Sequence, residues 1–294
     1  MKNANVALLQ LCSGENTRDN LAQIEQQIKQ LNSGVKLVMT PENALLFANA
    51  ASYRHHAEQH NDGPLQQEVR EMARRYGVWI QVGSMPMVSR ESPERITSSS
   101  LLFDDQGELK ARYDKIHMFD VDINDIHGHY RESDTYQPGQ QLTVVDTPVG
   151  RLGMTICYDL RFPGLFQALR AQGAEIISVP AAFTKMTGEA HWETLLRARA
   201  IENQCVILAA AQVGRHGATR RTWGHTMAVD AWGKILGHNP DVVAALKVRI
   251  ETAGLKTIRN QMPVMQHNRF QATLEPTLNK PLLNKPLLNK PSSN

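Results

Sequence analysis

Short apolar runs, each stopped by a proline, a glycine or a polar turn, alternate along this chain with stretches whose apolar residues recur at helical spacing. That alternation restricts the chain to helices layered on sheet. Residues 5–11 read as a strand. A helix follows from about Thr17, with Leu21, Ile24, Ile28 and Leu31 on one face and Gly34 past its end. Residues 35–40 form the next strand, 65–76 a helix stopped by Gly77, and 78–83 a strand again. Residues 97–103 and 108–113 pair as a hairpin across Asp104-Asp105-Gln106-Gly107, and 143–146 with 151–156 form another across Thr147-Pro148-Val149-Gly150. Then come a helix over 162–172 capped by Gly173, a strand over 175–179, a helix over 191–203, a strand over 205–211, and a late hairpin around Ala231-Trp232-Gly233-Lys234. The pattern is α/β, and its hairpins exclude a purely parallel sheet. No linker divides it, so residues 1–270 read as one domain.

Three strand ends carry chemistry. Gly153-Met154-Thr155-Ile156-Cys157 brings a thiol out of a buried strand, and Tyr158-Asp159-Leu160-Arg161-Phe162-Pro163 turns the chain at once. A rigid sheet fixes such an atom while the turn exposes it. Glu42 closes the run 35–42 just after Pro41, and Lys115 follows the first hairpin in Tyr113-Asp114-Lys115-Ile116-His117. Singly, each has an ordinary reading: a packed thiol, a loop acid, a surface charge. Together they suit one task. A carboxylate takes the thiol proton, a cation favours thiolate and oxyanion, and the thiolate attacks a carbonyl.

Pro41-Glu42, Tyr113–His117 and Cys157–Pro163 resemble the Glu, Lys and Cys motifs of the nitrilase superfamily, the carbon–nitrogen hydrolases. The likeness spans roughly residues 4–270. It takes in Arg131-Glu132-Ser133-Asp134, Pro138-Gly139, Gly173-Ala174-Glu175-Ile176, Thr187-Gly188-Glu189-Ala190-His191-Trp192-Glu193 and Leu196–Gln204. These longer strings are similar to the Nit branch, the amidases acting on deaminated glutathione. The resemblance implies a four-layer α-β-β-α sandwich that dimerises through its sheets. It also implies a second active-site acid, Glu132, orienting Lys115 or the substrate amide. One local departure stands at Gly237-His238-Asn239-Pro240-Asp241, where the family pattern has a glycine-centred hairpin turn.

The resemblance then implies a route. Glu42 takes the proton of Cys157, whose free thiol pKa of about 8.5 would otherwise keep it protonated, and Lys115 beside it favours the thiolate. The thiolate attacks a primary amide; Lys115 and the Tyr158 N–H receive the oxyanion; ammonia leaves; Glu42 activates the water that cleaves the thioester. No step needs a metal or organic cofactor. The leading substrate is deaminated glutathione. An ω-amidase on 2-oxo amides or a carbamoylase is the alternative, and a non-catalytic scaffold is opposed by the intact triad. Arg161 either anchors a substrate carboxylate or ties the turn to the next helix. Phe183, Thr184 and Thr187 follow a strand end where a pocket wall belongs. His191 and Trp192 either support the site from behind its contact residues or pack at a helix start, and Arg197, Arg199 and Glu202 have the spacing of structural ion pairs.

Other classes are set aside. The net charge of +3, with Lys and Arg scattered, excludes a nucleic-acid stripe. Cys12, Cys157 and Cys205 are an odd set without C-x-x-C pairing, so no disulfide framework is expected; Cys12 and Cys205 read as packing residues in strand-like runs. Val6-Ala7-Leu8-Leu9 is too short for a signal-peptide core, and no run has transmembrane length, so a cytoplasmic enzyme without membrane contact is expected. His127-Gly128-His129, near Asp122 and Asp125, lacks further ligands at a recognised spacing and reads as a loop flanking the site entrance. From Thr277 the chain repeats Leu-Leu-Asn-Lys-Pro, whose prolines break any element, so 271–294 read as a disordered tail.

Overall fold

The computed structural model describes residues 3–31, 34–123, 125, 128–270 and 272–275. The first half of the chain runs β1 (Asn3–Leu9), α1 (Thr17–Lys29), β2 (Val35–Met39), α2 (Ala50–His55), α3 (Pro64–Tyr76), β3 (Trp79–Val88), β4 (Ile96–Phe103) and β5 (Leu109–Asp114), then a small ribbon of β6 (Asp120–Asp122) and β7 (His129–Arg131). The second half runs β8 (Val144–Thr147), β9 (Gly150–Met154), α4 (Pro163–Ala171), β10 (Ile176–Ser178), α5 (Lys185–Asn203), β11 (Val206–Ala209), the hairpin β12 (Val213–His216) and β13 (Arg220–Trp223), β14 (Thr226–Val229), β15 (Ile235–Asn239), β16 (Ala245–Glu251), α6 (Leu255–Gln261) and α7 (Val264–His267).

Two six-stranded sheets result, ordered β16-β1-β2-β3-β4-β5 and β15-β14-β11-β10-β9-β8. Each holds three parallel central strands (β1, β2, β3 and β9, β10, β11) flanked by antiparallel neighbours. Both faces of the first sheet are covered. In β1, Val6 and Leu8 face the second sheet's cluster, while Ala7 and Leu9 join Ile24 and Ile28 of α1 and Leu65, Val69 and Met72 of α3. That two-sided burial is why the strand reads as an unbroken apolar run rather than an alternating one. The central cluster carries Leu37 and Met39 against Leu152, Met154 and Ile176, then continues to Leu165 and Phe166 of α4 and Trp192 and Leu196 of α5. The layers are therefore α-β-β-α, as the sequence resemblance implied.

Several boundaries move. The first strand ends at Leu9 rather than residue 11, and Cys12, half-buried, lies beyond it with its thiol on the Arg215 carbonyl. β3 runs on to Val88, because Gly83 marks not an end but a register shift between Val82 and Met85. A Cβ at Gly83 would stand 2.3 Å from the carbonyl oxygens of Thr40 and Pro41, so the strand passes tightly behind the Glu42 turn. α5 begins at Lys185, not 191, with the Thr184 side chain capping the N–H of Thr187. Gly188 hides that first turn in the sequence. Glycine is there because any Cβ would meet Trp223 at 2.3 Å. Gly237, His238 and Asn239 are the end of β15, and Pro240 and Asp241 begin the crossing to β16 in the other sheet, held by Asn239 Nδ2 donating to the carbonyls of Val242 and Ala244. The repeat tail lies outside the described residues, apart from 272–275.

Candidate active site

Strand ends from both sheets converge. Glu42 lies just beyond β2, Lys115 directly after β5 with its N–H on Ser98 O (2.9 Å), Glu132 opens a 3-10 turn after β7, and Cys157 opens another after β9. The C-terminal edge of parallel strands is the usual crevice of α/β sheets, where backbone groups are no longer spent on the ladder. All four side chains meet there. Lys115 Nζ donates to Glu42 Oε1 (2.9 Å) and to both oxygens of Glu132 (2.8 Å each). Glu42 Oε2 accepts from the Ala182 N–H (2.9 Å) and Glu132 Oε2 from the Phe119 N–H (2.7 Å), and Cys157 lies close enough for its charge to interact with those of Glu42 and Lys115. Lys115 is 1% exposed, Glu42 4% and Cys157 8%.

Burial makes these charges interact strongly. Burial alone pushes the Glu42 carboxyl up, but the Lys115 ammonium and hydrogen bonds from Cys157 and Lys115 outweigh it, leaving Glu42 below its ordinary value. For Glu132, burial and the neighbouring Glu42 charge prevail over Lys115 and hold it above that value. Lys115 loses charge stability by burial and regains more from Glu132 and Glu42, so it stays cationic well past its ordinary range. Burial, then the Glu42 charge, drive the Cys157 thiol well above its ordinary value, with Lys115 only partly opposing. Lys115 favours the thiolate, in the direction expected from the sequence, but burial and the Glu42 charge outweigh it. Thiolate forms only as Glu42 takes the proton.

Cys157 has φ +48°, the left-handed region that costs a non-glycine residue about 1–3 kcal/mol. Its N–H donates to Pro180 O (2.8 Å), and the turn is clamped by Asp159, which is fully buried. Asp159 accepts from Tyr113 OH (2.7 Å), Ile156 N–H (2.8 Å) and His117 N–H (3.1 Å), and its Oδ1 lies 2.7 Å from His117 Nδ1. His117 also stacks on Phe162 at 3.7 Å. The clamp ties the Lys115 segment to the cysteine turn. Its residues stood inside the motifs, but nothing in the sequence said that they face one another.

A cleft of about 440 Å³ opens over Cys157, large enough for a small organic substrate. Every residue picked from the sequence borders it: Glu42, Lys115, Glu132, Cys157, Tyr158, Arg161, Phe183, Thr184 and Thr187. Arg161 sits at the rim, its guanidinium over the rings of Phe183 (5.4 Å) and Tyr158 (5.9 Å) and 3.3 Å from His191 Nδ1. Thr184 Oγ1 caps α5. Trp192 is a packing residue, its Nε1 donating to His225 O (2.8 Å). Arg199 pairs with Glu202 (2.7 Å) and Arg197 with Glu193 (3.3 Å), both remote from the cleft lining. His129 pairs with Asp122 (2.7 Å), and β7 lines the entrance; His127 lies outside the described residues. Among the described residues no group of three His, Cys, Asp or Glu could hold a metal. Sequence reasoning missed Asn43, Phe47, Tyr130, His216 and Arg220 in the lining. They come from the loop after Glu42, the three-residue strand β7 and the β12/β13 hairpin, which are too short or irregular to show a periodic pattern.

The family model described as carbon-nitrogen hydrolase matches residues 5–260. The chain belongs to the carbon–nitrogen hydrolases. It is 90% identical over 278 residues to the deaminated glutathione amidase of Yersinia enterocolitica, covering 95% of this chain and 97% of that one. The NitFhit protein of Caenorhabditis elegans superposes with a TM-score of 0.81 at 34% identity, over 91% of this carbon–nitrogen hydrolase and 65% of that chain. Nit3 of Saccharomyces cerevisiae, a member of branch 10 of the nitrilase superfamily, gives 0.80 at 27% identity over 92% and 97%. This carbon–nitrogen hydrolase is an enzyme of the amidase kind on the nitrilase sandwich.

Proposed function

We propose that this enzyme hydrolyses deaminated glutathione through a thioester on Cys157. The observation that carries the chemistry is the Glu42 carboxylate standing beside Cys157 in one cleft and 2.9 Å from Lys115 Nζ. The 90% identical Yersinia amidase supports the substrate. Glu42 removes the thiol proton as sulfur attacks the amide carbon. The developing oxyanion is received by the Lys115 ammonium and by the Tyr158 N–H, one of the first N–H groups of a 3-10 turn, which have no acceptor within their own turn. As the intermediate collapses, the C–N bond breaks and Glu42 returns the proton to the departing nitrogen. Glu42 then deprotonates a water, which attacks the thioester; the acid leaves and sulfur regains its proton. Both Glu132 oxygens accept from Lys115 Nζ beside the bond to Glu42, which fixes its ammonium.

The leaving group differs from the sequence expectation for this substrate. Glutathione carries its cysteinylglycine on a γ-glutamyl amide, which is secondary, so the released amine is the dipeptide and the acid is 2-oxoglutarate. Ammonia leaves only from a primary amide such as 2-oxoglutaramate. The deciding assay follows 2-oxoglutarate released from both compounds by wild type and Cys157→Ala. The expected result is preference for deaminated glutathione, lost in the variant. Preference for 2-oxoglutaramate makes the enzyme an ω-amidase, and turnover by Cys157→Ala removes the nucleophile assignment.

The enzyme works as a homodimer in the cytoplasm. Supporting the first, Trp232 (64% exposed) and Ile201 (51%) form an apolar patch, Gly233 lying against Ile201. Supporting the second, all three cysteines are free and the chemistry needs an unoxidised thiol; cell fractionation checks it.

A further inference from the structure

Arg220, the first residue of β13, borders the cleft but has no part in the chemistry above. Its Nε is buried and makes no hydrogen bond. Its guanidinium instead packs over the rings of Phe47 (4.9 Å) and Tyr130 (5.6 Å). Phe47 is sandwiched, stacking on its other neighbour His216 at 4.0 Å and 10°. His216 is fixed in turn, its Nδ1 2.8 Å from Ser13 O and its Nε2 2.7 Å from Thr222 Oγ1. The hairpin itself is pinned to the start of α5: the Trp223 N–H donates to Phe183 O (3.0 Å), and Thr222 bridges Thr184. Arg220 is therefore a pre-aimed cation on a rigid support, with donors left over.

Glu15 stands exposed in the lining, and most of the other charged groups of the cleft are already engaged. Glu42 and Glu132 pair with Lys115, and Arg131 with Asp122 and the carbonyls of Val121 and Tyr130. Arg161 lies at the rim beside His191. When both acids are ionised, the Glu42–Lys115–Glu132 group carries one excess negative charge, which repels an anionic substrate. Arg220 offsets that charge, and its field already reaches Glu42. A planar guanidinium held by aromatic faces is the group best shaped for bidentate capture of a carboxylate.

We infer that Arg220 anchors the carboxylate of the substrate's 2-oxo acyl part, the portion that stays on Cys157 through both halves of the reaction. The inference rests on the amidase reading above and names the group that reads the acyl side. An anchor for the acyl part serves acylation and deacylation alike, whereas one for the departing amine serves only the first.

The test uses Arg220→Gln and Arg220→Lys in the full chain, with thermal melting to confirm folding. Substrates are deaminated glutathione, 2-oxoglutaramate and the uncharged pentanamide, and 2-oxoglutarate is the inhibitor. Losing a hydrogen-bonded charge partner raises KM for both carboxylate substrates roughly 10- to 100-fold and weakens 2-oxoglutarate inhibition by a like factor. Arg220→Lys recovers part of this, and the loss on pentanamide is at least tenfold smaller. A loss confined to deaminated glutathione, with 2-oxoglutarate inhibition intact, would assign Arg220 to the leaving group and overturn the inference. An equal loss on pentanamide would make it structural and overturn it too. Calorimetric binding of 2-oxoglutarate needs no turnover, so it separates the two readings. Weakened binding in Arg220→Gln keeps the anchor even if deaminated glutathione proves a poor substrate, and unchanged binding removes the anchor even if it is the best one.

Discussion

At Cys157 one cation and one carboxylate pull in opposite directions, and burial decides between them. The thiol stays protonated because its thiolate would be a second anion beside Glu42 in a dry site. The sign can be worked out for a substitution. Glu42→Gln removes the charge that disfavours thiolate and leaves Lys115, which favours it. The apparent pKa of Cys157 therefore falls, whereas amide hydrolysis, which needs the carboxylate as base, drops by at least about 10². Iodoacetamide alkylation against pH measures the first quantity: wild type has its midpoint well above the ordinary thiol value, and Glu42→Gln below wild type. A midpoint that rises in the variant would mean Glu42 is not the group holding the thiol neutral.

Among the elements, the turn after β9 is the one under strain. Its left-handed Cys157 is retained because Asp159 gathers donors from two separate segments, Ile156 in its own turn, and Tyr113 of β5 with His117 just after it. Asp159→Ala strands several buried donors at once and is expected to cost about 3 kcal/mol or more, with activity lost. Tyr113→Phe removes one donor, costs about 1 kcal/mol and keeps the turn. Urea unfolding monitored by tryptophan fluorescence orders the two; equal, small effects would mean that the clamp holds nothing. The same logic places Gly83 behind Glu42 and Gly188 behind the β12/β13 hairpin. Gly83, read as a strand end, and Gly188, which hides the first turn of α5, are close approaches of one element to another.

Across the whole molecule, the two sheets share one pattern and meet through one apolar cluster, so the site is split between them: Glu42 and Lys115 come from the first, Cys157 and Ala182 from the second. Neither sheet holds the chemistry alone. The patch of Trp232 and Ile201 stands at the far end of α5, beside the β14–β15 turn, where a second copy can cover it. Light scattering is expected to give twice the 32.9 kDa chain mass, and Trp232→Lys to shift it toward the single chain. A wild-type mass of one chain removes the dimer.

What the sequence determined by itself was the inventory. Apolar runs two faces deep gave β1, β2 and the β9–β11 strands, because burial on both sides leaves no other composition. Strand-end position gave Glu42, Lys115 and Cys157, since proline and turn residues mark where a ladder stops. Glu132 came only through a resembling motif, because a loop acid has no pattern of its own. Tertiary structure decided the rest. It made Lys115 the shared counter-ion of two carboxylates as well as a partner of the thiolate, which no linear spacing encodes. It also brought Arg220 and Phe47, more than a hundred residues apart in the chain, into one wall of the cleft. Charge balance and ring stacking depend on distances in space, and those distances exist only once both sheets have closed on each other.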